Sequence, residues 1–276
     1  MQSIRRFFDF YLNSSIHVAL GVLALSWVTF LEFDLSVNKV FLGFVFFASI
    51  TGYNFVKYFG LAKFHHRSLA HWLKVIQIFS FCCFVGMLVF FFNLNQNTWW
   101  YIVAMAVITF LYAIPFYSRN YVFDAQNNLR DIGGLKVYII AFVWSVVTVI
   151  LPLINEGYDL SFDILISGFQ RFVFVLVLML PFEIRDLRYD SLKLATIPQK
   201  IGVKLTKLLG TLGLIVFYLS EFFKDYLSNN QLMETFVIAL ITLGFVWFSK
   251  EHQSKYYSAF WVESIPLIWL LLLLLF

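Results

Sequence analysis

The chain has 276 residues, of which 61% are hydrophobic, 21% are aromatic and only 13% are charged, with a formal net charge of +4. Soluble proteins carry roughly 25% charged residues, and a water-exposed fold of this length cannot bury so much apolar surface. The composition therefore excludes a soluble domain, a disordered chain and a nucleic-acid-binding protein. It predicts one all-α, polytopic integral membrane domain over residues 1–276.

Apolar runs long enough to cross a bilayer occur nine times along the chain. One spanning helix needs about 20 largely apolar residues, and clusters of polar residues set the limits of each run. Residues 1–13 mix Arg5, Arg6 and Asp9 with aromatic side chains, so we expect an interfacial helix before the first span. In chain order the predicted spans are 15–31, 39–61, 75–92, 98–117, 137–154, 163–182, 206–223, 235–249 and 257–275.

The distribution of Lys and Arg predicts the orientation of these spans. In the nine-span arrangement Lys39 and Lys224 lie on one side of the membrane and Arg171 lies inside the sixth span, whereas the other 17 of the 20 basic residues lie on the opposite side. Lys and Arg accumulate in cytoplasmic loops. We therefore expect a cytoplasmic N-terminus, insertion in a bacterial inner membrane, and cytoplasmic loops at about 62–74, 118–136 and 183–205.

Two charged residues are the best placed inside predicted spans six and nine. Arg171 belongs to the sixth span and Glu263 to the ninth. Charges at such depths normally face the interior of the bundle or find partners. A direct ion pair between Arg171 and Glu263 is one arrangement that satisfies this rule.

The end of the sixth span carries three carboxylates at helical spacing. Glu183, Asp186 and Asp190 are related as i, i+3 and i+7, so they point in one direction from a helix. Carboxylates near a membrane are rare unless they are paired or functional, and Mg²⁺ often shares one or two carboxylates with substrate phosphates. The spacing alone leaves two interpretations, a metal or phosphate site and a solvated helix end.

These carboxylates belong to a longer motif. The pattern Glu-x-x-Asp-x-x-x-Asp over 183–190, followed by Thr-x-Pro at 196–198 and Ile-Gly at 201–202, resembles the second aspartate motif of the UbiA superfamily of intramembrane prenyltransferases. Weaker similarity lies in Arg-Ser-Leu at 67–69, Tyr-Ala-Ile-Pro at 112–115 and Leu-Lys at 135–136. That family has nine transmembrane helices around a central cavity, with aspartate motifs on helices two and six.

The resemblance implies an activity, namely transfer of a polyprenyl group from a diphosphate donor to an aromatic or other lipophilic acceptor. In the family, Mg²⁺ ions bridge the aspartates to the diphosphate. By position, Glu183, Asp186 and Asp190 are the implied catalytic residues, and Asp186 and Asp190 are the implied Mg²⁺ ligands. The implied diphosphate-binding residues are Asn54, Lys57, Arg67, Arg119, Lys136 and Lys193.

The first aspartate motif of the family is missing from the second span. Asn54 is retained, but Phe55, Tyr58 and Ala62 occupy the three aspartate positions, and Lys57 lies one helical turn from Asn54. The carboxylates that the family carries on helix two are therefore absent, and whether this protein requires Mg²⁺ stays open.

Three hypotheses follow from this departure. In the first, the protein is a divergent prenyltransferase in which Lys57, with Arg67, replaces the lost metal charge beside the diphosphate. In the second, it is catalytically inactive, and Lys57 forms an ion pair with Asp186 or Asp190 that closes the old site. In the third, it is an isoprenoid-binding or scaffold subunit in a membrane assembly. The expected partners are a polyprenyl diphosphate or another isoprenoid lipid, membrane lipids and a membrane-protein partner.

Overall fold

The computed structural model of the chain describes residues 2–58, 70–113, 134–189, 196–225 and 228–275. Within these ranges every regular element is a helix, which confirms the predicted all-α class. The α-helices are α1 (Gln2–Asn13), α2 (Ile16–Glu32), α3 (Lys39–Tyr58), α4 (Ala70–Phe91), α5 (Gln96–Ala113), α6 (Leu135–Ser145), α7 (Leu151–Asn155), α8 (Phe162–Asp186), α9 (Ile197–Leu219), α10 (Asn229–Phe248) and α11 (Ile265–Leu275).

Most of these helices are suited to a membrane. In the described ranges, seven helical segments are long and apolar enough to span it, and the bent pair of α1 and α2 adds an eighth. The 53° bend of this pair falls at Ser14 and Ser15, where Ser15 has a left-handed φ of 63°. Helix α5 matches the predicted span 98–117 only as far as Ala113, and residues 114–117 lie outside the described ranges.

The helices continue past the apolar runs that predicted them. Helix α4 begins at Ala70, inside the predicted loop 62–74, and α6 begins at Leu135, inside the predicted loop 118–136. Likewise, α8 continues to Asp186 and α9 begins at Ile197, within the predicted loop 183–205. Helical hydrogen bonds are made within the backbone, so polar side chains at the membrane boundary do not end a helix. Helical structure therefore extends into these predicted loops. Their position relative to the membrane stays a prediction.

Two π-helical turns, Val146–Ile150 and Tyr257–Val262, precede prolines in the spans. Pro152 has no N–H to donate to the carbonyl of Thr148, four residues earlier. The hydroxyl of Thr29 on α2 donates to that Thr148 carbonyl at 2.7 Å instead. The side chain of a neighbouring helix thus satisfies a backbone group that proline leaves free inside the membrane.

Helix α8 lies at the centre of the bundle. In its most apolar stretch 61% of the residues are buried, compared with 11% in α4. Helix α9 packs closely on α8 because Gly210 and Gly213 leave room for the side chains of Leu180 and Val177. Small residues commonly allow such close approach between helices in membranes. Residues projecting inward from α8 therefore meet other helices and not lipid.

Arg171 on α8 makes a different ion pair from the one considered above. Its guanidinium lies 3.3 Å from the Glu32 carboxylate, donates to the Leu25 carbonyl at 3.0 Å and stacks over Trp269 at 4.6 Å. Its partner is thus Glu32 on α2 and not Glu263. The depth in the membrane that sequence position predicts could not identify this pair. Glu32 is the last residue of its helix, and the long arginine side chain reaches toward it.

Alternating helix directions give the bundle two chemically distinct ends. We call the end that contains Ser15, Lys57, Lys136 and Asp186 the basic end, because most of the Lys and Arg residues belong to it in the predicted topology. We call the other end the acidic end, which carries Glu32, Glu156, Asp163, Glu221 and Glu234. Contacts between helix termini follow this division, since Asn38 donates to Glu156 at 2.7 Å and Gln231 donates to the Glu32 carbonyl at 3.0 Å.

Candidate functional site at the basic end

The first two carboxylates of the predicted stripe face the interior of the bundle. The Glu183 side chain is 1% exposed and that of Asp186 is 19% exposed. Lys136 at the start of α6 lies 3.4 Å from Glu183 and 3.9 Å from Asp186. Asp190, the third member, lies outside the described residues. The helical spacing thus correctly placed Glu183 and Asp186 on one inward face.

Arg185 completes this cluster, although sequence analysis assigned it no role at the site. Its guanidinium contacts the Asp186 carboxylate at 2.7 Å and donates to the hydroxyl of Ser258 at 2.8 Å. Ser258 belongs to the π-helical turn Tyr257–Val262, so Arg185 connects the end of α8 to the start of the last span. A basic residue between two acidic ones was the only sequence signal for this position, and an ordinary cytoplasmic charge gives the same signal.

Asn54 on α3 is fully engaged in hydrogen bonds. Its amide nitrogen donates to the Ser14 carbonyl at 3.0 Å and to the Ser80 hydroxyl at 2.8 Å, and its amide oxygen accepts from Ser15 at 2.9 Å. Asn54 therefore holds the bend between α1 and α2 against α3 and α4. Its role in diphosphate binding stays a prediction, and these contacts favour a structural role because a ligand would have to displace one of them.

Lys57 lies at the edge of the same network. Its ammonium donates to the Ser15 hydroxyl at 3.1 Å. Lys57 and Arg185 are also the cations that act electrostatically on the half-buried carboxylate of Glu263. Of the two ion pairs that the second hypothesis allowed, the one between Lys57 and Asp186 does not form among the described residues, where Arg185 and Lys136 contact Asp186. The alternative pair with Asp190 lies outside the described residues and stays a prediction.

Glu263 is thus placed near the candidate site and not near Arg171. Glu263 interacts electrostatically with Tyr11 on α1, with Tyr53 and Lys57 on α3 and with Arg185 on α8. Tyr53 is held in place by the Trp144 indole, which donates to its hydroxyl at 2.7 Å. The neighbours of Glu263 come from distant parts of the chain, so its place within an apolar run predicts an intramembrane charge but not its partners.

The remaining predicted site residues are Arg67, Arg119, Lys193 and Asp190. All four lie outside the described residues, and their roles stay predictions.

The described residues do not fit a pair of Mg²⁺ ions. Within these ranges no three His, Cys, Asp or Glu side chains are grouped so that they could hold a metal. Glu183 and Asp186 already contact cationic side chains. The α3 residues at two of the family's aspartate positions cannot bind a metal ion as carboxylates do, since Phe55 stacks at 6.0 Å on Phe110 and Tyr58 donates to the Asn13 carbonyl at 2.8 Å. The chemistry that these residues can offer is recognition of an anion by ammonium and guanidinium groups.

Comparisons with protein-family models, with curated proteins and with solved structures found no match for this chain.

Proposed function

We propose that this protein is a UbiA-like membrane prenyltransferase that binds a polyprenyl diphosphate at its basic end and transfers the prenyl group to an aromatic or other lipophilic acceptor. One observation carries the proposal. Inward-facing carboxylates at the end of α8 lie together with Lys136 and Arg185 among otherwise apolar helices. Charged groups inside a membrane protein are costly and commonly mark a substrate site. The motif similarity over 183–202 points to the same chemistry.

The proposal includes nine spans around a central cavity. The seven apolar segments and the bent pair of α1 and α2 account for eight. Helix α5 is the ninth in this arrangement, with its apolar run continuing into residues 114–117. Nine spans also segregate 17 of the 20 basic residues to one side, so the basic end is proposed to face the cytoplasm of a bacterium.

The proposed reaction follows from the charges. The bond between the first prenyl carbon and the diphosphate oxygen breaks, and its electron pair leaves with the diphosphate. Lys57 and Arg185, with Lys136 nearby, stabilise the negative charge that develops on that oxygen. An electron pair of the acceptor then forms the new bond to the prenyl carbon, and the acceptor gives its proton to the released diphosphate. No step is assigned to Mg²⁺, because the described residues do not fit the two-metal site of the family.

A second function is favoured by a specific observation. Two cations of the site are already paired with carboxylates, since Lys136 contacts Glu183 and Arg185 contacts Asp186, and Lys57 donates to the Ser15 hydroxyl. Such internal neutralisation is expected of a catalytically inactive relative that acts as an isoprenoid-binding or scaffold subunit of a membrane complex. An isoprenoid-binding role requires a cavity for the isoprenoid but does not require the transfer reaction.

Binding and turnover of a prenyl donor distinguish these functions. The purified protein is titrated with geranylgeranyl diphosphate, with and without Mg²⁺, and released diphosphate is measured in the presence of candidate acceptors. Turnover supports the transferase, and binding without turnover supports the inactive protein. Absence of binding by the wild-type protein contradicts the transferase and the isoprenoid-binding role, and supports a scaffold subunit.

The variant Lys57→Ala tests the residue that is proposed to replace the positive charge of the missing metal ions. We expect donor affinity to fall about tenfold or more, because a charge-assisted contact to phosphate contributes more than about 1.4 kcal/mol. Lys39→Ala, at the exposed acidic end of α3, is the matched control and should leave donor affinity unchanged. Mg²⁺-dependent activity that appears only after Phe55→Asp and Tyr58→Asp would show that the native site has lost its metal chemistry.

A further inference from the structure

A cluster of lysines lies on the outside of the bundle, between α9 and α10 at the basic end. The ammonium of Lys207 on α9 donates at 2.8 Å to the backbone carbonyl of Trp247, next to the last residue of α10. The last four carbonyls of a helix lack partners within that helix, and a cation is favoured there by the helix dipole. Lys207 is therefore held at the end of a neighbouring helix and cannot turn freely into solvent.

Two more lysines lie close to Lys207. Lys250 follows α10 by two residues and acts electrostatically on Lys207 as a like charge. Lys204 precedes Lys207 by one helical turn and is exposed. Within the described ranges no acidic side chain forms an ion pair with any of the three, including the exposed Glu251 beside Lys250. Mutually repelling cations without an acidic partner provide a site for an anion.

The surface next to the lysines is apolar. Leu208 and Leu212 on α9 and Trp247 on α10 are all about half exposed. The indole nitrogen of Trp247 donates to the Thr211 hydroxyl at 3.0 Å, which fixes the ring against α9. Helix α9 runs from Lys204 toward Leu212, so its leucines lie deeper in the membrane than its lysines. Tryptophan is characteristic of the boundary between lipid headgroups and acyl chains.

We propose that this surface binds an anionic phospholipid. Its phosphate lies between Lys207 and Lys250, with Lys204 beside it, and an acyl chain follows Leu208, Leu212 and the face of Trp247. Basic sites between membrane helices are suited to anionic headgroups, and the adjoining apolar face distinguishes a lipid from a free anion. The site lies on the outside of the bundle, so the inference does not depend on the proposed transferase activity.

Lipid selectivity tests the proposal. The full-length protein in a neutral detergent is titrated with phosphatidylglycerol, phosphatidylcholine or inorganic phosphate, and bound molecules are counted by native mass spectrometry. We expect phosphatidylglycerol to bind with an affinity at least tenfold higher than that of the other two. Equal binding of the two lipids would overturn the proposal, and equal binding of inorganic phosphate would assign the site to a free anion and overturn it as well.

Charge-removing variants locate the site. Lys250→Gln and Lys204→Gln should each weaken phosphatidylglycerol binding about fivefold, since one lysine near a headgroup contributes about that factor. Among the described residues neither ammonium forms a hydrogen bond or an ion pair, whereas Lys207 caps α10. These two variants therefore remain informative if Lys207→Gln does not fold. Lys39→Gln, an exposed lysine at the acidic end, is the matched control. Unchanged affinity in both Lys250→Gln and Lys204→Gln would show that the lipid binds elsewhere.

Discussion

Helix α8 carries two ionic clusters that differ in how completely they are enclosed. In the half toward the acidic end, Arg171 is 2% exposed and Glu32 is 10% exposed, and the guanidinium is covered by Trp269. At the basic end, Lys136 is 29% exposed although its partner Glu183 is 1% exposed. The first cluster is enclosed by the fold, and the cation of the second is partly exposed.

The difference separates a structural role from a functional one. Arg171 uses its donors on a backbone carbonyl, a hydroxyl and a carboxylate of one helix, which fixes α2 against α8. Lys136, by contrast, makes one contact at 3.4 Å and a longer one at 3.9 Å. An ammonium held this loosely can turn toward a bound anion without breaking the fold. Buried charges on one helix therefore do not all indicate a site.

The largest expected effect is an all-or-none difference between the two ends in accessibility. Single cysteines placed at Asn128 and Asn229, in a background without Cys82 and Cys83, are treated with a membrane-impermeant thiol reagent in intact cells. Asn229 lies at the acidic end and should be labelled from outside, whereas Asn128 should react only after the cells are opened. Labelling of both positions from the same side of the membrane would contradict the nine-span topology.

Removal of Arg171 should cause the largest loss of stability. Arg171→Leu leaves the Glu32 carboxylate without its main partner in a buried environment, which costs about 3–5 kcal/mol. The free energy of unfolding in detergent, measured with a denaturant series, checks this value. The double variant Arg171→Leu with Glu32→Gln should recover part of the loss, because the uncompensated charge is gone. A loss below about 1 kcal/mol in the single variant would contradict the closed character of this cluster.

The corresponding change at the basic end should cost less. Glu183→Gln removes the charge opposite Lys136, and Lys136 can then turn toward water, so we expect a loss of about 1–3 kcal/mol. Asp186→Asn is the matched control one turn away, and it should have a smaller effect because Asp186 is more exposed. If Glu183→Gln is as damaging as Arg171→Leu, the two clusters are equally structural and the proposed site loses its main support.

The smallest expected effect concerns an exposed pair at the basic end. Asp9 on α1 contacts the Lys255 ammonium at 2.7 Å and accepts from the Tyr256 hydroxyl at 3.1 Å. The hydrogen bond to Asp9 raises the pKa of Lys255 above its ordinary value of 10.5. A raised lysine pKa contributes stability below the unfolded value and loses it as the pH rises through the folded value.

For this pair we expect Asp9→Asn to lower the free energy of unfolding by less than about 1 kcal/mol at pH 8, since exposed ion pairs contribute little. The difference between variant and wild type should shrink above a pH of about 10.5. Thermal unfolding at pH 8 and pH 11 measures both values. A difference that grows with pH would show that the Asp9 effect does not come from Lys255.

The sequence determined the class of the protein and the direction of its key side chains. Mean hydropathy and run length identify spanning helices because a bilayer requires about 20 apolar residues per crossing. The helical period placed Glu183 and Asp186 on one face before any neighbour was known. Both results are local, since they depend on the lipid environment and on 3.6 residues per turn.

Only the tertiary structure decided which charges meet. Arg171 pairs with Glu32 at 139 positions' separation, and Arg185 meets Ser258 at a separation of 73. Asn54 is engaged by Ser14, Ser15 and Ser80 at the bend before α2. These partners depend on how helices pack and on where a chain bends, and hydropathy carries no information about either. A charged residue in an apolar run indicates that a partner is needed, but the packing of distant helices determines which residue that partner is.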